Sequence, residues 1–293
     1  MSEPCSSSSS CSGCTSKENC QDRLKKNLSG MEHKIMVLSG KGGVGKSSVA
    51  VNLALYLALE GYRVGLLDID FHGPSVPTML GFQNAGVVMD GEEILPLEMG
   101  TLKVMSMGLL LQGKKDAVIW RGPMKAGVIK QLFEDVRWGE LDYMIMDFPP
   151  GTGDEALSAC QLVEGADGGI VVTTPQEVSL SDCRRCISFC RQLKLPVLGV
   201  IENMSGFVCP DCGAVVDIFS SGGGEKMAEE EGVPFLGKIP LDPNIVKACD
   251  EGKALLRNFA GTPGAKAFGE IAERITAMVA ADIDMSNNMK EAN

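Results

Sequence analysis

The chain has 293 residues, 44% of them hydrophobic and 22% charged, which suits a soluble globular protein with a substantial core. Lys plus Arg number 27 against 38 Asp plus Glu, a net charge of -11, which excludes the basic footprint of a general nucleic-acid binder or of a protein held to anionic lipid. The apolar runs, such as Val104 to Leu111 with Ser and Gly inside it, fall short of the roughly 18 residues a membrane span needs.

The N-terminus, MSEPCSSSSSCSGC, has no basic region and no apolar region, so a secretory signal is not expected and the cytoplasm is the expected compartment. Eleven cysteines in such a chain do not read as a disulfide framework, because the cytosol keeps thiols reduced. Clustered thiols there favour metal or iron–sulfur ligation. Cys5, Cys11, Cys14 and Cys20 form the first cluster, four thiols within a polar, Ser-rich segment that cannot build a core alone. Residues 1–32 are therefore expected to be a flexible extension.

From His33 onward, short apolar runs alternate with helical segments. Lys34 to Ser39 reads as a buried strand, followed by a Gly-rich turn and a helix through Glu60. The turn, Gly40-Lys41-Gly42-Gly43-Val44-Gly45-Lys46-Ser47, fits the G-x-x-x-x-G-K-[ST] phosphate loop. Its glycines let backbone N–H groups close on phosphate oxygens at a helix N-terminus, joined by that of Ser48. Lys46 is placed to reach the β- and γ-phosphates, and the Ser47 hydroxyl to ligate Mg²⁺.

Tyr62 to Ile69 is a second strand, ending in LLDID with Asp68 and Asp70; one of these could position an attacking water. Leu141 to Met146 is a third, and Asp147 follows it in the manner of a Walker B aspartate. Helices are expected over Asp154 to Val163 and Ser181 to Leu193, with strands at Gly168 to Thr174 and Pro196 to Asn203. Continuous apolar strands alternating with helices predict a doubly wound, mostly parallel α/β sheet in one domain spanning 33–281. Cys183, Cys186 and Cys190 fall on one helix face and read as core, as do Cys160 and Cys249.

Cys209-Pro210-Asp211-Cys212-Gly213 is a C-x-x-C turn that aims two thiolates at one ion, whereas tetrahedral zinc or a [4Fe-4S] cube takes four ligands. A two-fold homodimer would supply the other pair. Zinc and a redox dithiol stay open at this point, since spacing does not separate them. The last helix is expected over Pro263 to Val279, with a frayed polar tail over 282–293.

Lys41 is an additional lysine in the phosphate loop. K-G-G-x-G-K-S resembles the deviant Walker A loop of MinD, ParA, the arsenite-pump ATPase and the nitrogenase iron protein. That resemblance implies that Lys41 reaches across a homodimer to the partner's ATP. The further segments LLDIDFHGPSVPTMLG, VIWRGPMK, DFPPGTGDE, TTPQEVSLSD, IENMSGFVCPDCG and GKIPLDP, in that order, resemble the Mrp/ApbC family of P-loop iron–sulfur cluster carrier ATPases over roughly residues 33 to 280. Cys11, Cys14 and Cys20 match the spacing of the family's branch with an added N-terminal cluster; Cys5 departs from it, lying only six residues before Cys11.

The resemblance implies a slow ATPase with Lys41, Lys46, Asp70 and Asp147 as catalytic residues, Asp70 positioning water and Asp147 in the magnesium shell. It implies that Asn203 reads adenine between Pro240 and Asp242. It further implies a [4Fe-4S] cluster bridged by Cys209 and Cys212 of two chains, delivered to apo iron–sulfur proteins, with no nucleic-acid or membrane partner. A positioning ATPase like MinD or ParA, a reductase like the nitrogenase iron protein and a zinc-stabilised dimeric ATPase are the alternatives.

Overall fold

A computed structural model describes residues 17–71, 73–111, 122–163, 165–210 and 212–291. In chain order the elements are α1 (Lys17–Ser29), β1 (Met31–Ser39), α2 (Lys46–Leu59), β2 (Val64–Asp68), α3 (Val76–Met79), β3 (Val88–Asp90), β4 (Glu93–Leu95), β5 (Leu97–Met99), β6 (Leu102–Ser106), α4 (Met107–Leu111) and α5 (Gly122–Glu134). They continue with β7 (Leu141–Asp147), α6 (Asp154–Leu162), β8 (Gly168–Thr173), α7 (Glu177–Gln192), β9 (Val197–Val208), β10 (Val215–Val216), α8 (Gly223–Glu231), β11 (Phe235–Leu241), α9 (Pro243–Asp250), α10 (Leu255–Asn258) and α11 (Pro263–Glu291).

The main sheet runs β10-β9-β8-β1-β7-β2-β6-β5, with β11 also paired to β9. Its central pairs are parallel, and only β5–β6 and β9–β10 are antiparallel. This is the doubly wound sheet that the alternation of apolar runs predicts. Successive residues of a strand point to opposite faces, so each buried strand feeds two cores. Met36, Leu38, Met144 and Met146 face one side, against α5, α6, α7 and α8. Ile35, Val37, Tyr143 and Ile145 face the other, against α2 and α11. The first core is rich in sulfur: Met105, Met107 and Met227 join Cys183, Cys186 and Cys190. The buried side chains described in the second include neither methionine nor cysteine. The three helical cysteines are thus core, and burial pushes the Cys183 thiol up to about 12, which keeps it protonated and unreactive.

Several boundaries differ from expectation. The extension expected over residues 1–32 includes α1, which docks on the body: Leu28 is buried, and the Asn27 amide donates to the carbonyls of Phe133 and Glu134. Those anchors are contributed by α5, over a hundred residues away, and local composition does not reveal them. At the other end α11 continues to Glu291, through the stretch expected to fray. The strand expected to end at Asn203 runs on to Val208, because β11 pairs with it on to Phe207 and β10 at Phe207 and Val208. β3 to β5 and β10 are too short or too exposed for apolar periodicity to mark them, and β6, as long as β2 and mostly buried, and β11 are also absent from the expected strands. None of the described helices is long and apolar enough to cross a membrane.

Candidate functional site

Parallel strands of a doubly wound sheet present their carboxyl ends together, and ligands bind there. In register, Asp147 lies beside Val37 on β1 and Asp68 on β2. The loop after β1, the end of β2 and the end of β7 therefore converge on one cavity of about 250 Å³. Lys41, Gly43, Lys46, Ser47 and Asp70 line it, with Pro150 on the opposing wall.

The loop's shape follows from its glycines. Gly43 and Gly45 hold φ of 81° and 83°, where L side chains are strained. A Cβ on Gly45 would sit 2.1 Å from the Asn203 amide nitrogen, and one on Gly40 would sit 2.2 Å from the Asp182 carbonyl oxygen of α7. Gly45 also caps α2, so the N-terminal amides of a 14-residue helix point into the cavity.

Lys46 is buried and its ammonium lies 2.5 Å from Asp147 Oδ1. Asp147 Oδ2 is buried and has no hydrogen-bond partner among the described residues. An orphaned carboxylate oxygen beside a serine hydroxyl at a phosphate loop fits a hard divalent cation such as Mg²⁺, with Ser47 and Asp147 its holders. Burial raises the Asp147 carboxyl and outweighs the lowering by Lys46.

Asp68, on the neighbouring strand, is fully buried, and its carboxyl is pushed up to about 7, first by burial and then by the charge of Asp147. Its two oxygens accept from the Asp70 backbone N–H at 3.0 Å and the Ser106 hydroxyl at 2.8 Å. Of the two aspartates, Asp68 is thus the anchor of the loop, and Asp70 is the one lining the cavity. Asp70 Oδ1 accepts from the Gly73 N–H at 3.3 Å.

A second cavity shares Gly45 and Ser48 with the first. Asn203, Pro240 and Asp242 line it, together with Ile245, Val246 and Cys249 of α9. The Asn203 amide donates to the Val44 carbonyl at 2.9 Å, tying β9 to the phosphate loop. Cys249 is therefore not a core residue: it is half-buried at this wall, and burial raises its thiol while Ser48 lowers it. No sequence motif marks the α9 residues; only the fold brings them to the phosphate loop.

Cys209 and Cys212 sit on the turn between β9 and β10, Cys209 half-buried and Cys212 exposed. The turn is closed by the Gly213 N–H donating to Cys209 O and the Cys209 N–H to Ala214 O, both at 2.9 Å. Gly213 has φ 72°. A third cavity of about 460 Å³ lies against Cys209 and shares Leu241 and Asp242 with the second. Asp242 is a junction: Oδ1 caps α9 through the Asn244 N–H, and Oδ2 accepts from the Gly264 N–H of α11. Val215, Val216, Ile218 and Phe219 stand exposed just beyond the turn. Cys20 falls on the backbone of α1, while Cys5, Cys11, Cys14 and His72 lie outside the described residues.

A phosphate loop between a central parallel strand and its helix, with aspartates at adjoining strand ends, defines a P-loop NTPase. The family described as the ParA-group NUBPL iron-transfer P-loop NTPase matches residues 30–276. The chain belongs to that family. It is 48% identical over 280 residues to the iron-sulfur cluster carrier protein of Methanocaldococcus jannaschii, an alignment covering 92% of this chain and 96% of that protein. It is 47% identical over 254 residues to the human cytosolic Fe-S cluster assembly factor NUBP2, covering 85% and 94%. Among solved structures, a nucleotide-binding protein in complex with ADP from Archaeoglobus fulgidus superposes with a TM-score of 0.70 at 37% identity, over 80% of this chain and 91% of that one.

Proposed function

We propose that this chain is an ATP-dependent iron–sulfur cluster carrier that works as a homodimer in the cytosol and hands its cluster to apoproteins. The observation that carries the reading is a shared wall: Leu241 and Asp242 border both the cavity beside Asn203 and the cavity against Cys209. A nucleotide end and a thiol end in one rigid body are what a nucleotide-gated carrier needs. The Methanocaldococcus jannaschii relative is named an iron-sulfur cluster carrier protein and the human one a cytosolic Fe-S cluster assembly factor, which supports the reading.

The chemistry follows from the residues. ATP phosphates enter the amide cradle of residues 40–48, and Lys46 leaves Asp147 to meet them. Breaking that buried pair leaves the Asp147 carboxylate beside Asp68 and Asp70 without its countercharge, which a divalent cation held by Ser47 and Asp147 would relieve. Mg²⁺, when bound, neutralises charge on the β- and γ-phosphates. Asp70 orients the attacking water, and Lys41 of a second copy reaches the phosphates across the dimer. Asn203, Pro240 and Asp242 hold adenine. Cys209 and Cys212 offer two soft thiolate ligands, and the second chain supplies the other two. Cys5, Cys11, Cys14 and Cys20 form a separate N-terminal cluster site. Slow hydrolysis, opening and closing the dimer, couples ATP to release of the cluster.

The test is iron, acid-labile sulfide and zinc per protein after anaerobic purification, in wild type and in Cys209→Ser/Cys212→Ser. About four iron and four sulfide per dimer, lost in the variant, support the bridging cluster. Iron retained in the variant reports the N-terminal site. Zinc without sulfide overturns the carrier reading.

A further inference from the structure

Glu202 is a carboxylate with no exposure to solvent, one residue before Asn203 on β9. Consecutive strand residues face opposite sides of a sheet. Asn203 reaches the phosphate loop, and Glu202 reaches the other side, where α8 begins. There Oε1 accepts from the Ser205 hydroxyl at 2.5 Å and the Gly222 N–H at 2.8 Å, and Oε2 accepts from the Gly224 N–H. Ser205 in turn shares a hydrogen bond of 3.0 Å with Ser221. A buried carboxylate is costly unless its lone pairs are met, and three donors meet them, two of them at the α8 N-terminus.

The donors sit at the two ends of one excursion. Residues 205–222 comprise the end of β9, the turn with Cys209 and Cys212, β10 and the return to α8. Backbone in the left-handed region marks both ends: Met204 and Gly206 at φ 56° and 73°, Ser220 and Gly222 at 76° and 86°. For Met204 and Ser220 that conformation is strained, and strain persists only where surroundings fix it. A Cβ at Gly224 would stand 2.9 Å from Glu202 Oε2, so the return path is shaped around the carboxylate.

We propose that Glu202 is the positioning residue of the cysteine turn: it clasps both ends of the excursion and, through its peptide link to Asn203, makes the placement of Cys209 and Cys212 depend on whether nucleotide fills the phosphate loop. The inference deepens the carrier reading and rests on it for its meaning, but its test needs no cluster.

In the full-length, reduced, metal-free chain, the rates at which iodoacetamide alkylates Cys209 and Cys212 are followed by peptide mass mapping, with and without Mg²⁺ and a non-hydrolysable ATP analogue. In wild type the analogue should change the rate about fivefold or more, the low end of coupling between sites. In Glu202→Gln an amide faces the Gly222 and Gly224 N–H groups, and that ratio should fall to about one while the analogue still binds. Ser205→Ala, which removes one donor, should give a smaller loss in a chain that folds even if the glutamine variant does not. A wild-type ratio of one, or unchanged ratios in both variants, overturns the inference. Because the thiols are read without metal, a wild type that binds zinc or nothing overturns the carrier reading separately and leaves this result standing.

Discussion

The phosphate end and the cysteine end of the sheet are built by different means. At the phosphate end, Gly40 and Gly45 have no room for a Cβ, and the Lys46–Asp147 pair is buried and made before any ligand arrives. At the cysteine end, an antiparallel pair of two residues per strand carries an exposed thiol, flanked by exposed Val215 and Val216. The first is shaped, and its central ion pair is made, within a single chain. The second offers two thiols beside exposed apolar side chains, which on the proposed reading need another surface.

If that contrast holds, disturbance at the phosphate end should be severe and local. Lys46→Ala removes the cation that meets the phosphates, and kcat/KM for ATP should fall by on the order of 100-fold or more. It also leaves the buried Asp147 carboxylate beside Asp68 without its countercharge, so a lower thermal midpoint should accompany the kinetic loss. Gly45→Ala forces an L residue into φ 83° and drives a methyl onto the Asn203 amide. A stability loss of about 1–2 kcal/mol in urea titration is expected, with weaker nucleotide binding as β9 and the loop separate.

Asp68 sharpens the comparison through pH. Its folded pKa, about 7, lies above the ordinary value of 3.8, so the folded chain holds a proton there that the unfolded chain releases. Stability from this group is present below 3.8 and is lost as pH rises to about 7. Asp68→Asn has no such titration. Its stability in the nucleotide-free state, relative to wild type, should rise across that window and level off above it; a flat difference would sink the assignment. The smallest effect is expected far from both ends, where Arg63 pairs with Asp142 and Glu140 on the surface. Arg63→Ala should barely move the urea midpoint, and less still in high salt.

What the sequence could disclose divides along the same line. The phosphate loop, Asp147 and the C-x-x-C pair are local patterns, legible because each chemistry needs fixed residue types at fixed spacing. Of the parallel strands, β1, β2, β7, β8 and β9 are legible because burial on both faces leaves them largely apolar. Cys249 and the α9 wall are not legible, since they reach the phosphate loop only through the register of β11 on β9. Glu202 lies in the segment IENMSGFVCPDCG, but its role is not legible there, since its donors lie up to 22 residues away. The docking of α1 is hidden for a similar reason, because Asn27 finds its acceptors on α5.

The unequal division of sulfur between the two cores has a consequence for oxidative damage. Oxidising a methionine turns an apolar thioether into a polar sulfoxide, and an oxidised cysteine no longer packs as a small hydrophobe. While the fold is closed, burial shields these groups, and the raised thiol of Cys183 adds chemical inertness. Any opening on the side of α5 to α8 would expose Met144, Met146 and Met227 together, and each oxygen atom gained would oppose reclosure. The side that carries α2 holds no buried sulfur among its described residues. Oxidation that followed such an opening would therefore fall on the buried side chains under α5 to α8 and not on those packed against α2.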